Sequence, residues 1–585
     1  MTNWDELSVT GRKWRLRAQA QDHHQQIIKQ LILPPVLAPL LASRQLESMA
    51  QAKDFLNPRL NQLTDPLSLK DMDKAVERLV QALKKNQSIA IFGDYDVDGA
   101  TSSAIMVRYF RMLGIDVRVY IPSRKKEGYG PNPAAMEMLK GEGIDLVVTV
   151  DCGITAFEAL DKAQQLGLDV VVTDHHQQAP EGVPKAIAVV NPNRLDDDFP
   201  HKNLAGVGVA FHLLMALNRS LREQGWFSQR PEPELKTILD LVAVGTVADV
   251  VPLSGVNRPL VAAGLRQANG TSHAGLRALY ETAGIKGSLS VGQVGFQVGP
   301  RINAGGRLDQ ESLGWTILST EDPRQAENIA QILEAANQER RRLEDDMLKS
   351  ALADLKKRDD IEDHRGLVVS GQDWHPGVIG IVASRIVDVY HRPTIVIAFD
   401  EHGLGKASAR SIPGIDLLSA IRAADEHLLT YGGHKAAAGL SIKREHLDAF
   451  SVAFDQALRD QNAPEAFQPV LKVDAPIAAT AIDNELIRLL ERFQPFGMGN
   501  PEPVFVVDGV RISERRVLKD RHVKCRLSGG QGAELDAIAF QVLPGALGEM
   551  LMHETRLVRV AGTLSLNRFR GQETVQMMVR DIALS

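Results

Sequence analysis

Ile89-Ala90-Ile91-Phe92-Gly93-Asp94-Tyr95-Asp96-Val97-Asp98-Gly99 runs four apolar residues into a glycine and then into three carboxylates at alternate positions. An apolar run of this length, with no polar alternation, reads as a strand buried on both faces. Ala100 to Leu113 is helix-length and closes at Gly114. The pattern then repeats. Val117 to Ile121, Leu146 to Val150 and Val170 to Val172 are further apolar strands, and Ala156 to Leu166 is a helix between the last two. Upstream, Met72, Ala75, Leu79 and Leu83 recur at helical spacing between Asp71 and Lys85. Strands alternating with helices predict an α/β fold with a parallel sheet covered on both sides.

A chain of 585 residues is too long for one core, and several domains are expected. Ala326 to Leu355 reads as a long charged helix with a thin apolar stripe, which suits a strut between domains. A second α/β unit runs from Gly366 to about Gln461. Beyond it come short β-rich runs, Val504 to Val507, Val523 to Leu527 and Leu557 to Leu566, which predict a small barrel of the OB type. The expected divisions are an N-terminal extension (1–68), a parallel-sheet catalytic domain (69–322), the connecting helix (323–358), the second α/β domain (359–464) and the barrel (465–585).

Composition narrows the function classes. With 44% hydrophobic, 24% charged and 5% aromatic residues, disorder and fibrous repeats are excluded. Leu31 to Ala42 is too short and too interrupted by Pro34, Pro35 and Pro39 to cross a bilayer. Met1 to Gln30 lacks an apolar signal-peptide core, so a cytoplasmic protein is expected. Cys152 and Cys525 are the only cysteines, so any metal must be held by carboxylates and imidazoles. A net charge of -6 leaves a polyanion partner to local patches.

The chemistry falls at strand ends. Besides Asp94, Asp96 and Asp98, the strand ending at Val150 runs into Asp151-Cys152-Gly153, and the strand ending at Val172 runs into Thr173-Asp174-His175-His176. Ligands of open parallel sheets bind outside the carboxyl ends of the strands, so these groups are expected to converge. Carboxylates with imidazole and no thiolate suit Mn²⁺ or Mg²⁺, and this many candidate ligands suffice for two ions, the arrangement that clamps both oxygens of a phosphoryl displacement. Adjacent histidines in extended chain point apart, so one suffices as a ligand. By contrast His23-His24 follows no strand and reads as a solvent-exposed, inert pair.

Asp94-Tyr95-Asp96-Val97-Asp98-Gly99, Asp151-Cys152-Gly153 and Asp174-His175-His176 resemble the first three motifs of the DHH phosphoesterase superfamily. Asp249, in Ala243-Val244-Gly245-Thr246-Val247-Ala248-Asp249, matches its fourth. Gly299-Pro300-Arg301-Ile302-Asn303-Ala304-Gly305-Gly306-Arg307, Ser408-Ala409-Arg410-Ser411 and Gly432-Gly433-His434-Lys435-Ala436-Ala437-Ala438-Gly439 are similar to motifs of its branch of exonucleases specific for single-stranded DNA. The last of these marks the DHH-associated domain. Gly305-Gly306 departs slightly from the Ala-Gly of many members.

The resemblance implies two divalent ions, Mn²⁺ or Mg²⁺, held by Asp96, Asp98, Asp151, His175 and Asp249. Asp94 would be an added ligand or a supporting group, and Asp98 would act from a loop. It implies that Asp98 and Asp151 take part in catalysis, and that His176 contacts the scissile phosphate or protonates the leaving oxygen. Arg124, Tyr129, Arg301, Asn303, Arg307, Ser408, Arg410 and His434 would contact substrate, with Arg124 and Tyr129 at the 5′ end.

In the barrel region, Arg515, Arg516, Lys519, Arg521 and Lys524, with Arg568-Phe569-Arg570, form a basic patch suited to a single strand. The implied activity is 5′ to 3′ degradation of single-stranded DNA to mononucleotides, in recombination and repair. Implied partners are a single-stranded-DNA-binding protein and a RecQ-type helicase, and a monomer is expected. Two rivals are a shorter-chain phosphatase or oligonucleotidase of the superfamily, disfavoured by length, and an inactive replication scaffold, disfavoured by the intact acids.

Overall fold

The computed structural model describes residues 4, 6–123, 126–307, 312–358, 360, 361, 363–569 and 571–585. It divides into two compact units, one made of 18–337 with 483–503, the other of 1–17, 338–482 and 504–585.

The first unit is built on a five-stranded, all-parallel sheet. Its spatial order is Arg118–Tyr120, Ile89–Gly93, Leu146–Val150, Asp169–Thr173, Ala188–Val190. Alternation along these apolar strands separates two cores. Ile89, Ile91, Leu146, Val148 and Val171 pack under the helices Met72–Lys84, Val97–Met112 and Gly206–Glu223. Ala90, Phe92, Val147, Val170 and Val172 pack under Pro133–Gly141 and Phe157–Gln165. Both faces are therefore dry, which is why the strands carry no polar alternation.

After Ile89–Gly93 the chain moves outward to Arg118–Tyr120, then crosses back to Leu146–Val150 on the other side. The connection reverses direction between the first and third strands, and the carboxyl ends there are Gly93-Asp94 and Val150-Asp151. Such a reversal opens a crevice at the sheet edge, and ligands of doubly wound sheets bind in it.

One boundary differs from expectation in a way that matters. The helix after the first strand starts at Val97, not Ala100, because the Asp96 carboxylate accepts the Gly99 N–H at 3.0 Å and caps it. Asp98 therefore sits in the first helical turn rather than in a loop. The stretch Gly299–Arg307, including Gly305-Gly306, is also helical.

In the second unit, five strands are ordered Leu428–Gly433, Ala437–Lys443, Leu404–Arg410, Thr394–Phe399, Leu367–Gln372, and only the last pair is parallel. The C-terminal strands form a closed five-stranded barrel. Val504–Leu518 pairs with Val558–Phe569 through its first half and with His522–Ser528 through its second, so one bent strand serves two sides. Glu534–Ala539 and Gln572–Leu584 complete the circuit. Closure removes the free edges that short strands would otherwise expose. The long helix spans Pro323–Lys356. Lys13–Leu16, not anticipated as a strand, pairs in parallel with Val470–Val473, and Trp14 Nε1 donates to buried Asp581 at 2.9 Å.

Packing of the first unit traps His212 on the helix Gly206–Glu223. Its Nδ1 lies 2.7 Å from the Gly208 carbonyl, and burial pushes its pKa from 6.5 to about 4. The unfolded chain binds this proton near pH 6.5 and the folded chain only near pH 4, so stability rises with pH across that window and is lost as pH falls through it. The loss should reach roughly 2–3 kcal/mol by about pH 4.5. Thermal melts from pH 7 to pH 5 should show His212→Leu losing less Tm than the wild type; parallel losses would contradict the assignment.

Candidate metal centre

Five strand or helix ends deliver charged groups to the crevice. Asp94 and Asp96 follow the first strand, Asp98 opens the helix after it, and Asp151 follows the third strand. His175 follows Asp169–Thr173, and Asp249 terminates the helix Leu239–Ala248. His175 Nε2 stands 3.2 Å from Asp151 Oδ1, 3.6 Å from Asp249 Oδ2 and 3.8 Å from Asp98 Oδ2. Three overlapping sets of potential donors result: Asp94, Asp96 and Asp151; Asp98, His175 and Asp249; and Asp151, His175 and His176, with donor atoms within 4.8 Å inside each set. Asp151 belongs to the first set and touches His175 of the second, so it stands between them.

Local backbone chemistry fixes this geometry. Asp98 is 1% exposed and accepts N–H donors from Gly206 at 2.6 Å and Val207 at 2.9 Å, the opening residues of Gly206–Glu223. Helix N-termini favour negative charge, so Asp98 joins two helices as well as facing the cluster. A Cβ at residue 206 would come within 2.4 Å of Asp151 Oδ1, and glycine is required there. Asp151 takes a left-handed conformation with φ of 61°, which aspartate tolerates better than bulkier residues and which turns its carboxylate into the crevice.

The electrostatics call for a cation. Asp98 and Asp151 have pKa values pushed well up by burial and then by neighbouring carboxylates; Asp249 rises to about 7 by burial and the charge of Asp96. Burial lowers His175 to about 4, leaving its nitrogen lone pair free for coordination. Among the described residues no lysine or arginine pairs with Asp98, Asp151 or Asp249. Asp151 Oδ1, His175 Nε2 and Asp249 Oδ2 are buried without a hydrogen-bond donor or acceptor. Buried polar atoms of this kind cost roughly 1–3 kcal/mol each unless satisfied. An oxygen-rich donor set with one imidazole fits hard divalent ions, so the residues present suit Mn²⁺ or Mg²⁺.

Three profiles match this chain: the DHH family N-terminal domain over 88–246, the DHHA1 domain over 363–460 and the RecJ OB domain over 473–581. The single-stranded-DNA-specific exonuclease RecJ of Escherichia coli is 38% identical over 563 residues, covering 94% of this chain and 96% of that protein. This chain belongs to the RecJ family. RecJ of Bacillus subtilis is 35% identical over 577 residues, covering 98% of this chain and 71% of that protein. The crystal structure of RecJ in complex with Mn²⁺ from Thermus thermophilus superposes with a TM-score of 0.81 at 32% identity, covering 98% of this chain and 80% of that one.

The adjacent histidines divide their roles. The His175 side chain is 11% exposed and faces the acids, whereas that of His176 is 45% exposed. Asp174, quoted in the motif without a role, has its carboxylate fully used. Its Oδ1 accepts from His175 N, His176 N and His176 Nδ1, the last at 2.7 Å, and Oδ2 accepts from Ile154 N. It therefore orients His176 rather than facing the cluster. Desolvation would lower the pKa of His176, but the Asp174 hydrogen bond and charge outweigh it and raise it. Asn191 Nδ2 donates to the His176 carbonyl and Asn193 Nδ2 to that of His175. Sequence reading missed both, although Asn191-Pro192-Asn193 follows the apolar run Ala188–Val190 at the same sheet edge.

Tyr129 donates its hydroxyl to the Asp151 carbonyl at 3.1 Å and lies 3.1 Å from His176 Nδ1, so it borders the centre. Arg124 and the side chain of Arg307 lie outside the described residues. Arg301 corrects its expectation: it is 5% exposed, its Nε is 2.6 Å from Glu334, and its Nη1 donates to the Gln297 carbonyl, so it staples helices instead of facing substrate. Asn303 is half-buried on the same helix. Ser408, Arg410 and His434 belong to the other unit, where Arg410 donates to Ser408 Oγ at 2.9 Å and His434 is exposed beside its strand hairpin. A Cβ on Gly380 would meet Arg410 at 2.8 Å, so the neighbouring helix Ile379–Tyr390 approaches the arginine closely.

The basic patch is smaller than expected. Arg515 donates to the Leu551 and Glu554 carbonyls at the end of Ala546–His553, Lys524 pairs with Asp536, and Arg526 with Glu514, Glu534 and Asp536. Arg511, Arg516, Lys519 and Arg521 are exposed. Arg570 and the side chains of Arg568 and Phe569 lie outside the described residues.

The His23-His24 pair is not solvent-exposed as expected, since His24 is 2% exposed. Its Nδ1 accepts the Gln21 N–H, which leaves the proton on Nε2 directed toward Glu47, while His23 pairs with Glu47 at 2.5 Å. That tautomer offers a cation no lone pair.

Asp249→Asn tests the crowding. In EDTA at pH 8 the variant should melt above the wild type, gaining on the order of 1–3 kcal/mol from relieved repulsion. Its Tm gain on adding Mn²⁺ should shrink. A variant that is less stable in EDTA and keeps the full Mn²⁺ gain would contradict this reading.

Proposed function

We propose that this chain is a metal-dependent exonuclease that degrades single-stranded DNA from the 5′ end to mononucleotides. The observation that carries the proposal is the set of buried, mutually repelling donors at the switch point of the parallel sheet. RecJ relatives named as single-stranded-DNA-specific exonucleases, and a neighbour solved with Mn²⁺, support the same reading.

In this proposal Asp96, Asp98, Asp151, His175 and Asp249 hold two divalent ions, Mn²⁺ or Mg²⁺, with Asp94 beside them. Ions so placed supply a nucleophilic water at neutral pH and neutralise charge developing on the phosphate. The protein's own groups do the rest. Asp98 and Asp151, fixed by Gly206, Val207 and the tight backbone at 151, keep the donors in place without reorganisation.

His176, held through Nδ1 by Asp174 and partly exposed, has its Nε2 3.5 Å from the Tyr129 hydroxyl. With its pKa raised, it carries a proton there for a phosphate oxygen or the leaving oxygen. Tyr129 fixes the adjoining wall through the Asp151 carbonyl and offers its ring to the 5′ nucleotide. Within the DHHA1 domain, Ser408, Arg410 and His434 are proposed, from the family resemblance, to contact substrate phosphates.

Cys152 takes no part, since its thiol is wholly buried and its pKa is driven up by burial. Asp98→Ala should abolish hydrolysis, but because it also orphans two buried N–H groups it should cost stability as well. The resemblance further suggests a monomer in the cytoplasm, working in recombination and repair on strands supplied by a RecQ-type helicase and a single-stranded-DNA-binding protein.

Single strands and duplexes labelled at either end, incubated in EDTA and then in Mn²⁺ or Mg²⁺, test the activity. Immediate metal-dependent release of labelled mononucleotide from 5′-labelled single strands is expected. Release first from the 3′ end, or hydrolysis confined to short oligomers, would overturn polarity or substrate.

The triple variant of Arg516, Lys519 and Arg521 to Ala tests the barrel. Each phosphate contact contributes about 0.7 to the logarithmic salt slope on single strands, so the slope should flatten by roughly 2. An unchanged slope would remove this face from the binding site.

A further inference from the structure

The helical stretch from Val291 to Arg307 is interrupted by a π-helical turn over Val294–Val298. Val294 and Val298 are fully buried and Ile302 nearly so, which fixes the inward face. Phe296, between the two valines, is 80% exposed. Phe, Tyr and Trp make up only 5% of this chain, and the exposed aromatics among the described residues are Tyr129, Phe296 and Phe540. Phe296 is the most exposed of them, at full cost to hydration of its ring. Helices take π-turns rarely, and mostly at functional sites.

The turn lies against the metal centre's own supports. A Cβ at Gly299 would stand 3.6 Å from Ala248 and 3.9 Å from Val97, the neighbours of Asp249 and of Asp96 and Asp98. Gly306 of the same helix faces Tyr95 in the same way.

Two other exposed apolar side chains lie on segments that meet here. Val250, directly after Asp249, is 61% exposed and held at φ of 61°, a strained conformation for a β-branched residue. Met498 is 57% exposed, and its carbonyl accepts the Leu253 N–H. Gly497 beside it approaches both Leu253 and Val291, the first residue of the helical stretch. Exposed apolar side chains thus stand on three segments that meet near Asp249, opposite in chemistry to the carboxylates of the crevice.

We propose that Phe296 is a base-stacking platform for the single strand beside the metal centre, with Val250 and Met498 extending its apolar surface. The proposal rests on the single-stranded-DNA reading above. Every base has a π-face, so a fixed ring binds any sequence alike, as an exonuclease that advances along a strand requires. A duplex hides those faces in its own stack, so the platform favours single strands.

Phe296→Ala and Phe296→Trp in the full chain test it. Stacking of about 1–3 kcal/mol per base predicts that KM for a single strand rises roughly 5- to 100-fold in the Ala variant, with kcat changing less, and is restored by Trp. In EDTA, oligothymidylate should quench the emission of the Trp variant beyond any quench of the wild type. A single abasic site walked through the terminal nucleotides should raise KM of the wild type at one position and leave the Ala variant indifferent there. A KM within two-fold of wild type, or identical abasic profiles, would overturn the platform while wild-type cleavage of single strands leaves the exonuclease reading standing. Absence of that cleavage in the wild type would overturn the reading on which it rests.

Discussion

Like charges crowded into a dry crevice are the constraint on which this structure turns. Asp98 and Asp151 are each 1% exposed and stand near Asp94, Asp96 and Asp249. Left alone, such carboxylates take up protons, which is the direction in which burial and their neighbours drive Asp98, Asp151 and Asp249. The fold bears that cost through rigid supports: the N–H groups of Gly206 and Val207, the cap at Asp96 and the left-handed backbone at Asp151. Divalent cations turn the same crowding into a favourable interaction. A protein that spends stability in this way at a topological switch point has a metal-dependent task there.

The same supports separate holding from acting. Asp174 and His176 adjoin the cluster in sequence, yet their hydrogen bonds are made with each other, with backbone and with the Tyr129 hydroxyl, so His176 stays exposed and oriented toward whatever enters the crevice. Tyr129 spans both parts by touching the Asp151 carbonyl and His176.

Much of this was legible in the chain itself. Apolar runs ending in Asp94, Asp151 and His175 announce a parallel sheet and its ligand edge together, because one pattern records dry strands and the other records where they stop. What the sequence hides are contacts between residues far apart along it. Arg301 looks like a phosphate ligand until Glu334, on the long helix, takes its guanidinium. Arg515 counts toward a basic patch until the carbonyls of Leu551 and Glu554 claim it. His24 reads as surface because the packing that buries it is tertiary. The barrel appeared as several short runs because Val504–Leu518 changes partner midway, so its burial pattern changes with it.

Direct counting of bound ions tests the central claim most closely. Mn²⁺ titrated into the metal-free full chain and followed by electron paramagnetic resonance should give two ions per chain, with the magnetic coupling of neighbouring ions at saturation. A single uncoupled ion, or none, would contradict a two-ion centre built from Asp94, Asp96, Asp98, Asp151, His175 and Asp249.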